Sequence, residues 1–128
     1  MRRVLNSFLA FMEEVNATDS LVIAATNHSE ALDQALARRF DEVIEYPLPD
    51  SVAATELVRR RFGKFASASL DWAAIAQAGE GLSQGELVRA VDEVVKDAIL
   101  DGSRIDTAML VSALNDRHAY RSQFASLA

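Results

Sequence analysis

At 128 residues the chain fits one ordinary domain or two small lobes. It is 50% hydrophobic and 25% charged, with two prolines and five glycines, which describes a folded chain and excludes a disordered one. A formal charge of −6 opposes broad binding to a nucleic-acid backbone, and the absence of cysteine excludes disulfides, thiolate metal sites and a thiol nucleophile.

The first residues, "MRRVLNSFLAFMEEV", place Val4, Phe8, Phe11, Met12 and Val15 at helical spacing, so an amphipathic helix is expected over 4–15. "NATDS" ends it with turn formers. "LVIAAT" (21–26) is a short apolar run with β-branched Val22, Ile23 and Thr26, and it reads as a strand buried on both faces, as inside parallel sheets. A short helix is expected over 30–39. "DEVIEY" (41–46) reads as a second strand, closed by Pro47 and Pro49, which mark the internal boundary.

Everything after Asp50 reads as helical. Asp50 or Ser51 can cap a helix carrying Val52, Leu57, Val58 and Phe62 to a stop near Gly63. A shorter helix spans roughly 70–78, with Trp72, Ile75 and Ala76 inward. Ser83 and Glu86 form an S-x-x-E capping box that opens a helix striped with Leu87, Val91, Val94, Ala98 and Ile99. Asp101-Gly102 ends that helix, and Asp106 caps a last one with Met109, Leu110, Ala113 and Leu114 inward. Four such stripes should bury together as a bundle. The expected fold is therefore mainly α with two short β-strands: residues 1–50 a small α/β part, 51–128 a four-helix bundle.

Candidate chemistry is sparse. Asn27 follows the apolar run, where ligands of open α/β sheets collect, and could orient a water or touch a phosphate. With Glu30 three residues on, it equally makes a helix cap. Arg38 and Arg39 end a short helix, where they suit its negative pole. Paired guanidinium groups also stabilise charge on a transferring phosphoryl group. "RRRFGK" (59–64) is no nucleic-acid stripe, because consecutive helical residues point about 100° apart. Nor is it a phosphate loop, since Val58 and Phe65 break the G-x-x-x-x-G-K-[ST] pattern. His28 and His118 are far apart and lack neighbouring ligands, so no metal site is expected. No apolar stretch approaches the roughly 18 residues of a membrane span, and a reducing, cytoplasmic setting suits the composition.

Taken together, the apolar run, the Thr26-Asn27 pair, "ALDQALARRFD" and the strand ending in "PLPD" resemble the second region of homology of AAA (AAA+) ATPases. They are most similar to the branch that includes katanin, spastin and other remodelling ATPases. "LDWAAIAQAGEGLSQGELVRAVDEVV" resembles the family's helical lid, with "GLSQGEL" at its Gly-aromatic-Ser-Gly-Ala-Asp motif. "MRRVLNSFLAFMEEV" resembles the helix that follows the Walker B strand. The likeness thus implies the second half of an ATPase module.

The resemblance implies that Asn27 is sensor 1 at the γ-phosphate. It implies that Arg38 and Arg39 are arginine fingers acting in trans on a neighbouring subunit's nucleotide. It places Glu86 where other branches carry a sensor-2 arginine; Arg89, one turn later, is a poor substitute. Walker A and Walker B motifs do not occur in these 128 residues, so ATP and magnesium, which the intact family module uses, are not expected to bind this chain alone, nor is hydrolysis. The expected partners are copies of the chain or other AAA+ subunits. The alternative is a truncated interaction module that docks on intact subunits and modulates them. The initial methionine falls within a helix the family continues upstream, which suits a truncated gene or a chosen fragment alike.

In the family's sheet another strand separates the two found here. Fully burying Leu21, Val22 and Ile23 is worth roughly 1.5–3 kcal/mol each. The expectation is therefore that the two strands pair directly, or that two copies swap segments around them.

Overall fold

The computed structural model describes residues 2–15, 18–26, 34–66 and 69–126. The chain separates into two compact units, Met1–Glu45 and Tyr46–Ala128.

In the first unit the helical spacing of the opening residues gives α1 (Arg2–Val15). Met12 is buried, at 5% exposure, whereas Phe11 points to solvent. Phe8 stacks on Phe40 with ring centroids 6.4 Å apart, bringing the residues after α2 back against α1. The backbone N–H and the hydroxyl of Thr18 both donate to the Val15 carbonyl at 2.9 Å, closing the helix end. α2 is one turn, Gln34–Ala37. It continues as a turn in which the Arg38 N–H donates to the Gln34 carbonyl at 3.1 Å and the Arg39 N–H to that of Leu36 at 3.1 Å. Of the helix expected over 30–39, residues 30–33 lie outside the described ones.

The two expected β-strands are absent: among the described residues there is no strand and no sheet, so the α/β reading of the first fifty residues is corrected to all-helical. Residues 21–26 and 41–46 are irregular, and the apolar run is not buried on two faces, with Leu21 85% and Ile23 82% exposed. Val43, Ile44 and Tyr46 are exposed as well. The physical reason is that a strand exists only as one side of a ladder. Its N–H and C=O groups need a neighbouring strand, and its side chains need layers above and below. Neither segment finds the other, so the direct pairing expected from their hydrophobicity does not form among the described residues.

The second unit is built from local signals. Asp50 caps α3 (Ser51–Phe62), its carboxylate accepting the Ala53 N–H at 2.7 Å. A 3-10 turn, Gly63–Phe65, follows. Asp71 caps α4 (Trp72–Gly79) by accepting the N–H groups of Ala73 and Ala74. The Ser83–Glu86 box opens α5 (Gln84–Asp101), and Gly102 closes it in the left-handed conformation at φ 64° that glycine tolerates. Asp106 caps α6 (Thr107–Ala125) through the Met109 N–H at 2.8 Å. Each such cap is worth about 1 kcal/mol.

α3 packs on α4 and α5, and α6 packs on the same two, so the four helices close a ring of contacts around one core. Val58 and Phe62 of α3 meet Ile75 of α4, Leu87, Val91 and Val94 of α5, and Leu110 and Leu114 of α6, together with Leu70 and Leu82 from the connections. Gly79 has no side chain because α4 and α5 approach closely there: a Cβ would stand 3.1 Å from Leu87 Cδ2. Val52 and Ile99, expected inward, are exposed. Among the described residues no helix is long and apolar enough to cross a membrane.

Candidate functional site

The two arginines singled out by the sequence sit in the turn after α2. They are adjacent in sequence but differ in surroundings. Arg39 is half-buried, and its Nη1 donates to Glu13 Oε1 of α1 at 2.7 Å. Arg38 is exposed and has no ion pair among the described residues. One guanidinium is thus tethered to a helix and the next reaches into solvent. Both keep a surface position, and a half-exposed pair such as Arg39–Glu13 contributes only about 0.2–1 kcal/mol. Chemically, the turn offers fixed positive charge to an anion approaching from outside the unit. Asn27 lies outside the described residues.

The second polar arrangement centres on Glu86. Its Oε2 accepts the Ser83 N–H at 2.7 Å while the Ser83 hydroxyl accepts the Glu86 N–H at 3.2 Å. Arg121 of α6 then joins, donating from Nη2 to Glu86 Oε2 at 2.9 Å and from Nη1 to the Gly81 carbonyl at 2.9 Å. Partial burial pushes the Glu86 carboxyl up. The Ser83 hydrogen bonds and the Arg121 charge outweigh it and hold the carboxyl below the usual glutamate range. Glu86 is therefore a structural anion that locks the start of α5 to α6. Sequence reasoning identified Ser83 and Glu86 by their three-residue spacing and missed Arg121. That residue stands 35 positions away, and only the packing of α6 brings it in. Arg89 is exposed and takes no part in the cluster.

The depressions of the second unit lack a catalytic set. A cleft of about 260 Å³ lies between Tyr46–Pro49 and Ser83–Gly85, and a groove of about 480 Å³ lies between α3 and α5. Among the described residues no three His, Asp or Glu side chains gather to hold a metal ion. His118 Nε2 is 3.0 Å from the Ala78 carbonyl, a contact within the bundle.

Residues 1–48 match the model of the ATPase family associated with various cellular activities (AAA). The chain is 32% identical over 132 aligned residues to the proteasome-activating nucleotidase of Saccharolobus islandicus, an alignment covering 99% of this chain and 34% of that protein. It is 38% identical over 114 residues to the proteasome-activating nucleotidase of Aeropyrum pernix, covering 83% of this chain and 28% of the relative. An AAA family ATPase of Sinorhizobium fredii is 33% identical over 129 residues, covering 100% of this chain and 38% of the relative. The chain thus spans about a third of the length of these relatives. On these matches the chain belongs to the AAA ATPase family.

Proposed function

We propose that the chain forms part of an ATP-hydrolysing site that it does not complete, supplying Arg38 and Arg39 as arginine fingers in trans, Asn27 as sensor 1, and the bundle 51–128 as the lid. The observation that carries this reading is the turn after α2. There Arg38 is exposed with no carboxylate paired to it among the described residues, while Arg39 is steadied by Glu13. A guanidinium that stabilises charge on another subunit's phosphate must keep its donors available. Arg38 meets this requirement in full, and Arg39 through the donors that its single Nη1 bond to Glu13 leaves.

The chemistry this assigns is electrostatic. As the bond to the terminal phosphoryl group lengthens, negative charge grows on its oxygens, and a fork of N–H donors placed there lowers the barrier. Arg38 reaches outward for that role, and Arg39, oriented by its Nη1 bond to Glu13, shares it. Glu86, held by Ser83 and Arg121, keeps the end of the bundle rigid and makes no phosphate contact. No Walker A or Walker B motif occurs in these residues, so the phosphate cradle and the carboxylates that hold magnesium come from elsewhere. The partners are other copies or other AAA+ subunits.

The test is complementation. Intact AAA subunits from the same source, with their own finger arginines changed to alanine, should regain ATP turnover when this chain is added. Arg38→Ala or Arg39→Ala in the added chain should remove the gain. No recovery with the unmodified chain, or turnover by the 128-residue chain alone, overturns the proposal.

A further inference from the structure

The last turns of α5 are apolar on two faces. Val94 and Ala98 are buried in the bundle, whereas Val95, Ile99 and Leu100 line the groove between α3 and α5, with Ile99 62% and Leu100 72% exposed. Phe65, in the turn after α3, adds a partly exposed ring to the same groove. A helix with apolar side chains on both faces has the pattern of one packed on both. Among the described residues of the second unit only the inner face is covered.

The charges narrow what could cover the outer one. Lys64 and Lys96 are the only two lysines in the sequence, so a chain of net charge −6 places both on this groove, one after α3 and one on α5. Among the described residues neither pairs with a carboxylate, and Lys64 rests over the Phe65 ring at 5.4 Å. Asp92, the acid in the lining, is already held by Arg61 through two hydrogen bonds of 2.7 and 2.9 Å. A groove between two helices accepts a third by interdigitation of side chains. A cation on each side of it matches a carboxylate on each side of the incoming apolar stripe, as at the e and g positions of a coiled coil.

We infer that the α3–α5 groove docks an amphipathic helix of a separate protein, its apolar stripe on Val95, Ile99 and Leu100 and its flanking carboxylates on Lys64 and Lys96. A second copy does not supply that helix. Groove against groove would set lysines against lysines. The amphipathic α1 opens with Arg2 and Arg3, and its Glu13 is engaged by Arg39. An anionic lipid surface is disfavoured, because a chain of net charge −6 is repelled by it. This goes beyond the phosphate role proposed for Arg38, Arg39 and Asn27 and involves none of those residues at the groove.

A synthetic peptide of two heptads, about 21 Å long as a helix, tests it, with leucine at a and d, glutamate at e and g, and alanine elsewhere. Its binding to the full chain is followed by fluorescence anisotropy at about 0.15 M salt, where remote charges are screened. The peptide and the chain are both acidic, so binding reports the groove and not bulk attraction. The wild type should bind it saturably. Lys64→Glu/Lys96→Glu and Ile99→Ser/Leu100→Ser should each weaken binding by roughly tenfold or more. Arg89→Glu/Arg104→Glu, with the same net charge as the lysine variant, should stay within about twofold of the wild type. A peptide with lysine in place of glutamate should prefer the Lys64→Glu/Lys96→Glu variant to the Arg89→Glu/Arg104→Glu variant by roughly tenfold. All these substitutions are at exposed positions, and unchanged thermal unfolding confirms that each variant is folded. A wild type that does not bind the glutamate peptide overturns the inference. So does binding indifferent to either groove variant, equal loss in the Arg89/Arg104 control, or no preference by the lysine peptide. Capture of the wild type on phosphatidylserine vesicles that the groove substitutions abolish overturns it in favour of a lipid surface. Each of these outcomes leaves the ATPase complementation free to succeed.

Discussion

Replacing Glu86 by alanine tests whether one local motif holds two helices in place. In the structure its carboxylate accepts the Ser83 N–H at 2.7 Å and pairs with Arg121 at 2.9 Å. A hydrogen bond to a charged group is worth about 1.5–3 kcal/mol, and part of it is recovered when water reaches the freed Ser83 N–H. The Arg121 pair is partly exposed and adds about 0.2–1 kcal/mol. Together they put the cost of Glu86→Ala near 2 kcal/mol. For a unit as small as Tyr46–Ala128 this corresponds to a fall in Tm of about 8–16 °C. Glu86→Gln keeps an acceptor for the Ser83 N–H, as capping boxes allow, and should lose about half as much. The folded carboxyl titrates below its ordinary value. Its stabilisation is therefore complete above that ordinary value and is lost as pH falls through the folded one. Urea unfolding of wild type and Glu86→Gln as a function of pH should show a gap at neutral pH that closes in acid. A gap that stays constant into acid, or a Glu86→Ala variant within about 0.5 kcal/mol of wild type, refutes the assignment.

Leu110→Ala should destabilise the bundle by about 2–5 kcal/mol in urea unfolding, because Leu110 is completely buried between neighbours on the other helices. A loss below about 1 kcal/mol would show that the core does not pack as described. Hydrogen exchange should find the amides of residues 21–25 fast and those of α5 slow, since that run carries no ladder. Protection at 21–25 equal to that in α5 would restore the buried strand.

The helices after Asp50 were legible because their signals are local. A carboxylate or hydroxyl that accepts an N–H two or three residues ahead acts wherever the chain is, and Asp50, Ser83 and Asp106 all do so. Faces are less legible at the edge of an apolar stripe. Leu87, Val91, Val94 and Ala98 are buried, but Ile99 stands about 100° around the helix from Ala98 and faces out. Val52 stands about 200° from buried Ala54 and faces out likewise. The site was legible only as a family pattern. Spacing along the chain leaves Arg38 and Arg39 open between a helix-end role and a phosphate role, and the complementation experiment distinguishes the two. The Arg39–Glu13 tether crosses 26 residues, and no local rule announces it.

The strands failed for the reason the helices succeeded. A helix satisfies its own backbone, so α3 to α6 need one another only to bury their stripes, and residues between Ala54 and Leu114 supply that whole core. "LVIAAT" cannot satisfy its backbone alone; its hydrophobicity predicts burial but does not provide the neighbours that burial requires. With Leu21 and Ile23 in water, the first unit forgoes about 1.5–3 kcal/mol for each, a large share of what holds any small domain together. The bundle also exposes Val52, Ile99 and Leu100, but its four helices supply one another with a closed core. Residues 1–45 therefore gain most from any added surface, and the same unit displays Arg38 outward. Among the described residues, apolar side chains without layers and a guanidinium without a carboxylate share one physical property: each gains free energy from a complementary surface brought against it.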